Sequence, residues 1–214
     1  QTSYPLLSPP LMNRSKYNIA IAGVTGAVGQ EMLRVLEQRK FPVNQLLPLA
    51  SKRSTGKRVR FKGKSITIRE LTKDSFDNVD IALFSAGGSV SKSFGPVAAA
   101  KGCVVVDNSS AFRMEKSVPL VVPEINAADV KKHKGIISNP NCTTIVTLMA
   151  LHPLHKAFGV KRIFASTYQA VSGSGALAIE ELRTQVKQIA AGRKVTQEVY
   201  PHQIAFNVLP HVDT

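Results

Sequence analysis

The sequence predicts an α/β protein: a doubly wound parallel sheet followed by a smaller, incomplete α+β region. Three observations carry that prediction. Residues 18–39 pass from an apolar strand through a glycine-rich turn into an amphipathic helix. Residues 80–84 and 103–107 are apolar runs that alternate little, as parallel strands covered on both faces do. The candidate strands end in small or polar segments, which lie where ligands sit at the carboxyl ends of strands in such sheets.

Taken in order, residues 1–15 are rich in proline and serine, lack periodicity and read as a disordered leader. Either a transit-peptide remnant or residues placed ahead of a start at Met12 would look like this. A strand at 18–22 then meets Gly23-Val24-Thr25-Gly26-Ala27-Val28-Gly29, a G-x-x-G-x-x-G variant of the dinucleotide fingerprint. Its glycines permit a tight turn and let a pyrophosphate approach the start of a helix expected over 30–39, with Met32, Leu33, Val35 and Leu36 inward. Glycines in such a turn also serve helix packing alone, so the reading leans on their place in the first strand–helix unit. A second strand at 46–50 runs into Ser51-Lys52-Arg53-Ser54. An acid there would suit a free ribose 2′-OH and a basic residue a 2′-phosphate, so NADP is favoured over NAD. If the glycine turn holds no cofactor, the same residues are a solvated basic turn.

Residues 58–61 and 65–69 flank Lys62-Gly63-Lys64 as a hairpin at the side of the sheet. The buried strand at 80–84 ends in Ser85-Ala86-Gly87-Gly88-Ser89 and leads into a helix at 90–101. The strand at 103–107 makes Cys103 a core residue and delivers Asn108, Ser109 and Ser110 to a strand end. Further on come a short helix at 127–133, a strand at 135–137, a helix after Cys142, a strand at 160–169, a turn at 172–175 and a long amphipathic helix at 177–190. Residues 203–214 stop without a closing element. The expected domains are residues 16–141, binding the dinucleotide, and 142–214, catalytic and dimer-forming but truncated.

With 214 residues and 43% apolar content, the chain can bury one sizeable core or two modest ones. Its two cysteines make no disulfide framework, which points to a reducing compartment. That is the cytoplasm, or a plastid if the leader is a transit remnant. No apolar run is long enough to cross a bilayer, and no membrane partner is expected. The net charge of +14 is scattered among residues such as Lys52, Arg53, Lys57, Lys131 and Lys161 with little aromatic interleaving. Solvated faces plus one anionic small-molecule site account for it, and no nucleic-acid partner is expected.

The stretch Ser138-Asn139-Pro140-Asn141-Cys142-Thr143-Thr144 concentrates the chemistry. Pro140 keeps Asn139 out of helical geometry, and the helically spaced Ile145, Leu148, Met149 and Leu151 place Cys142 at or beside a first turn. Unpaired N–H groups and the positive end of the helix dipole at such a place favour an anionic nucleophile. The competing reading is a small buried apolar cysteine.

With GVTGAVG, SAGG, DNSSAFR, NPNCTT and YQAVSGSG in this order, the sequence closely resembles the aspartate-semialdehyde dehydrogenases from Tyr17 to Thr214. That resemblance implies a Rossmann-type domain, an incomplete catalytic domain and a homodimer at full length. It also implies NADPH-dependent reduction of aspartyl 4-phosphate to aspartate 4-semialdehyde, with release of phosphate, in lysine, threonine and methionine biosynthesis. Cys142 matches the nucleophile that forms a thioester. Asn141 matches the asparagine beside the oxyanion, where the alternative is a helix cap, and Gln169 the glutamine that orients the intermediate. Arg113 matches the arginine that holds the phosphoryl group, and Asn108 falls in the same motif. Gly23, Thr25, Gly26, Ala27, Val28 and Gly29 match the pyrophosphate turn; Ser51, Arg53 and Ser54 match the 2′-phosphate site. Ser85, Gly87, Gly88, Ser172 and Gly173 match segments lining the ribose and nicotinamide.

No metal is implied. The family's catalytic histidine and carboxylate-binding arginine are expected beyond Thr214, so the chain alone is expected to be inactive or nearly so. His133, His152 and His155 read as surface or packing residues. The alternatives are an N-acetyl-glutamyl-phosphate reductase and a non-catalytic nucleotide-binding fragment.

Overall fold

The computed structural model describes residues 15–210, so the expected leader lies, but for Ser15, outside the described residues. Its elements are β1 (Tyr17–Ala22), α1 (Ala27–Gln38), β2 (Val43–Ala50), β3 (Arg58–Phe61), β4 (Lys64–Thr67), β5 (Arg69–Glu70), β6 (Ile81–Phe84) and α2 (Gly88–Ala100). There follow β7 (Val104–Asp107), α3 (Pro123–Asn126), β8 (Ile136–Ser138), α4 (Cys142–Phe158) and α5 (Ala176–Ala190). Six strands form one parallel sheet in the order β5-β2-β1-β6-β7-β8. From β1 the chain builds outward to β2 and β5, then returns to add β6, β7 and β8 on the other side. The strand order reverses between β1 and β6, and a doubly wound sheet opens its ligand crevice at the carboxyl ends there.

The pleat of β1 divides the core in two. Ile19 and Ile21 join Val24 and Leu33 of the α1 side, together with Val59 and Phe61 of the β3–β4 hairpin. Ala20 and Ala22 face Phe84, Ala98 and Phe112, and their small size suits the stacked Phe76 and Phe84 rings, 5.8 Å between centroids. The hairpin turns at Lys62 (φ 48°) and Gly63 (φ 75°), the left-handed pair that suits the twist of two antiparallel strands. Its expected second strand divides: β4 ends at Thr67, Ile68 is buried, and β5 rejoins the main sheet beside β2.

Other expectations shift. Helix α1 begins at Ala27 inside the glycine turn, and α2 begins at Gly88. The short helix expected at 127–133 is the four-residue α3 followed by a 3-10 turn at Ala127–Lys132. Pro123 starts it early, and Asn126 ends it by accepting the Val122 N–H and donating to the Leu120 carbonyl.

The strand expected at 160–169 does not form. Its sequence has strand composition, but Ile163, Phe164 and Tyr168 are exposed and no neighbouring strand pairs with it among the described residues. Strand propensity is realised only against such a neighbour. The chain divides into a compact unit ending at Phe164 and another beginning at Ala165, so α4 groups with the sheet.

Cys103 is fully buried in the core, its thiol donating to the Val79 carbonyl at 2.9 Å. Burial first, and then the charge of Asp80, push the thiol from its ordinary 9.0 up to about 12. An unfolded chain therefore ionises Cys103 first, and stability that is whole below pH 9 should drain away as pH rises toward 12. The expected slope is at most about 1.4 kcal/mol per pH unit. Urea unfolding from pH 8 to 11 should show a steeper decline for the natural protein than for Cys103→Ala; parallel profiles would disprove it.

Candidate active site

Four loops at the carboxyl ends of β1, β6, β7 and β8 build the site in the first unit. At the first, Gly23 (φ 86°) is pressed so close to the β6 loop that a Cβ would stand 2.2 Å from the Ser85 carbonyl oxygen. Gly29 is equally confined, with a Cβ falling 2.3 Å from the Gly23 oxygen, so the helix start packs directly on the turn. Both glycines are demanded by the fold. Gly26 is not: its φ of −74° is ordinary, and the nearest atom to its would-be Cβ is 3.4 Å away.

What Gly26 borders is the open N-terminus of α1, where Thr25, Ala27 and Val28 are exposed and the first turn carries no acidic residue. The opening N–H groups of a helix have no carbonyl of their own helix to bond, so this turn fits the pyrophosphate of a dinucleotide. Gly29→Ala is accordingly expected to lower stability by about 2–4 kcal/mol through overpacking, whereas Gly26→Ala should fold normally. Thermal melts and NADP titration check this. A Gly26→Ala protein that binds NADP as tightly as the natural one would remove the turn from the cofactor site.

Beyond β2, Ser51 and Arg53 are exposed, but Ser54 turns inward, 7% accessible, with its N–H on the Ser51 carbonyl. Beyond β6, Gly87 adopts φ 91° to cap α2 and has open space beside its Cα, while Ser85 and Gly88 are half-buried.

The end of β7 is held by a group that sequence reading passed over. Asp107 is fully buried and accepts the Ser91 hydroxyl at 2.6 Å and the Ser109 hydroxyl at 2.7 Å, which ties α2 to the loop carrying Asn108. A buried carboxylate is tolerated when hydroxyl donors satisfy it. The serines of DNSSAFR were its only sequence signal. From the same loop, half-buried Arg113 donates through Nε to the Asn139 carbonyl at 3.0 Å and through Nη2 to the Asn108 carbonyl at 3.1 Å. Asn139, read from the sequence only as a loop residue held out of helical geometry, donates its side-chain amide to Asn108 Oδ1 at 2.7 Å.

The loop after β8 ends at Cys142, the first residue of α4, which is exposed. Asn141 caps this helix: its Oδ1 accepts the Thr143 N–H at 2.9 Å and the Thr144 N–H at 3.4 Å. With Oδ1 engaged in the cap, the Asn141 amide NH₂ keeps its donors. Cys142 Sγ lies 4.0 Å from Thr143 Oγ1, and no histidine among the described residues hydrogen-bonds it. His133 accepts the Gly135 N–H through Nδ1, and burial holds it below the usual imidazole range, so it is neutral near pH 7. His152 and His155 lie on α4, and His211 falls outside the described residues.

Gln169, Ser172 and Gly173 belong to the second unit, where all three are exposed. Gln169 lies across Gly173, whose would-be Cβ stands 2.1 Å from Gln169 Nε2, so any larger residue there displaces the glutamine. Gln169 also lines a cavity of about 590 Å³ with Tyr168, Tyr200 and Leu209. Among the described residues no group of His, Cys, Asp and Glu is placed to hold a metal ion, and no helix is long and apolar enough to cross a membrane.

Residues 18–133 match the semialdehyde dehydrogenase NAD binding domain, and residues 151–214 match the semialdehyde dehydrogenase dimerisation domain. The aspartate-semialdehyde dehydrogenase of Aquifex aeolicus is 56% identical over 201 residues, a match covering 92% of this chain and 59% of that protein. Aspartate semialdehyde dehydrogenase II of Vibrio cholerae, solved in complex with ASA, superposes with a TM-score of 0.90 at 45% identity, over 94% of this chain and 60% of that one. The enzyme of Candida albicans, solved with NADP, gives a TM-score of 0.54 at 26% identity, over 67% of this chain and 48% of that one. The chain thus spans about three-fifths of the length of the Aquifex and Vibrio relatives.

Proposed function

The chain belongs to the semialdehyde dehydrogenase family, and from that premise we propose that the whole protein reduces L-aspartyl 4-phosphate to L-aspartate 4-semialdehyde with NADPH. Cys142 Sγ attacks the acyl carbonyl, the C–O bond to phosphate breaks, and a thioester remains on the cysteine. NADPH, when bound, would supply the hydride that reduces this thioester, and breaking of the C–S bond then releases the aldehyde and returns Cys142 as the thiolate. The Asn141 amide and the Cys142 N–H face the oxygen on which negative charge develops. The outer edge of the Arg113 guanidinium holds the phosphoryl group, with Asn108 beside it. The α1 turn takes the pyrophosphate, and Ser85, Gly87 and Gly88 line the ribose and nicotinamide. Ser51 and Arg53 take the 2′-phosphate with no acid among them to repel it, while Ser54 supports the turn from within. The NADP named for the Candida structure supports this choice.

One observation carries the reading: Arg113 is bonded to the loop that ends in an exposed cysteine at the first position of a helix. Residues 15–210 supply nucleophile, phosphate clamp and cofactor turn, and turnover belongs to the whole protein, as a homodimer consistent with the dimerisation-domain match. Two free thiols fit a reducing compartment such as the cytoplasm. The test runs the whole protein in the oxidative direction with aspartate semialdehyde, NADP and phosphate. NADPH should form only when phosphate is present. Equal turnover of N-acetyl-glutamate semialdehyde, or formation without phosphate, would overturn the assignment.

A further inference from the structure

Arg113 is fixed in place by protein groups alone. Guanidinium is a rigid plane with five N–H donors, and two bonds to carbonyls, from Nε and Nη2, settle the orientation of that plane. Nη1 and one proton of Nη2 remain for an anion. The two accepting carbonyls belong to different loops, Asn108 after β7 and Asn139 after β8. The parallel ladder between these strands stops at the pair Asp107 and Ser138, so nothing in the sheet itself fixes the spacing of the loops beyond it.

Besides the Arg113 bond to the Asn139 carbonyl, two bonds do, and both are donated by Asn139. Its N–H donates to the Asp107 carbonyl at 2.8 Å, and its side-chain amide donates to Asn108 Oδ1 at 2.7 Å. The first continues the strand, as any residue would. The second needs a side-chain donor at 139 and a side-chain acceptor at 108 long enough to meet across the loops. Immediately after Asn139 come Pro140, which is buried, Asn141, which caps α4, and Cys142. The Asn108–Asn139 bridge therefore joins the arginine's bracket to the segment that carries the thiol.

We propose, resting on the reading of Arg113 as the phosphate clamp, that Asn139 is a positioning residue. Its amide bridge to Asn108 holds the guanidinium at a fixed setting relative to Cys142, so that clamp and nucleophile engage one acyl phosphate together. Asn139 touches no substrate in this role; its effect passes through Arg113. Misplacing a clamp costs binding of the clamped group and leaves distant binding alone.

The test uses the whole protein in the oxidative direction, with inorganic phosphate as the varied substrate, and compares Asn139→Ala, Asn108→Ala, the double variant and Arg113→Ala. Asn139→Ala should raise the KM for phosphate about tenfold and leave the KM for NADP within about twofold. The double variant should be no worse than the more impaired single one, since both single changes cut one bridge. Should Asn139→Ala fail to fold, Asn139→Ser, whose side chain is too short to reach Asn108 Oδ1, cuts the bridge from the same end and is read in the same way. An unchanged phosphate KM in Asn139→Ala, with a large rise in Arg113→Ala, overturns the positioning role and leaves the clamp standing. Additive losses in the double variant overturn it too, as does a parallel rise in the KM values for phosphate and NADP, the mark of general loosening. An unchanged phosphate KM in Arg113→Ala removes the clamp and this proposal with it.

Discussion

Cys142→Ser is expected to slow turnover of the whole protein by about 10⁴-fold or more while leaving NADP affinity unchanged. Serine is close in volume, starts a helix as readily as cysteine and disturbs neither bond of the Asn141 cap, so the fold has no reason to change. What changes is the nucleophile. A hydroxyl needs a strong base to attack an acyl phosphate, and no histidine among the described residues hydrogen-bonds this position. The two cysteines also make the chemistry separable, because Cys142 is exposed and Cys103 is buried. Under native conditions iodoacetamide should label Cys142 and spare Cys103, as located by mass spectrometry, and in Cys142→Ser should label neither position until the protein is unfolded. Retention of a tenth of the activity by Cys142→Ser would end the thioester mechanism. Loss of NADP affinity in step with activity would recast Cys142 as structural.

The features legible in the sequence were those that depend on a residue's near neighbours. The strand–turn–helix at β1 and α1 follows from periodicity and glycine spacing, and Cys142 at a helix start follows from the Asn-Pro-Asn loop ahead of an apolar run. Even there the structure altered the reason. Gly23 and Gly29 are required by contacts with Ser85 and with the turn itself, which leaves Gly26 as the glycine of the three that packing does not demand. Features built from distant residues were not legible. The buried Asp107 bonds a hydroxyl from α2, and the Asn108–Asn139 bridge spans two strand-end loops; no local pattern marks either. The unformed strand at 160–169 fails for the same reason in reverse, since its composition was read without knowledge of a pairing partner.

Gln185→Leu should destabilise the second unit by about 3–5 kcal/mol, a large share of the stability of a domain. Helix α5 reads as amphipathic, yet the residues it buries are Ala178, Glu181 and Gln185, while Leu177 is 69% exposed. The polar face is the working one. Gln185 is fully buried and makes four hydrogen bonds: its Oε1 accepts the N–H groups of Ile204 and Ala205, and its Nε2 donates to the Thr196 carbonyl and the Glu181 carboxylate. Glu181 in turn accepts the N–H groups of Glu198, Val199 and Tyr200. The segment at 196–205 contains no helix or strand, so its backbone groups find their partners on this helix face. Leucine fills much the same volume but leaves two donors and a carbonyl unpaired near the buried end of the helix, at about 1–3 kcal/mol each. Gln188, half-buried and with its side chain bonded to Thr196, serves as the control, and Gln188→Ala should cost less than about 1.5 kcal/mol. Hydrogen exchange at the Ile204 and Ala205 amides should accelerate by two orders of magnitude or more in Gln185→Leu, about 1.4 kcal/mol per decade, with proteolytic cleavage appearing between 196 and 205. Amides of β1 and β6, in the other unit, should keep their rates. Unchanged exchange at Ile204 and Ala205 would mean that the segment is held by something other than the α5 polar face.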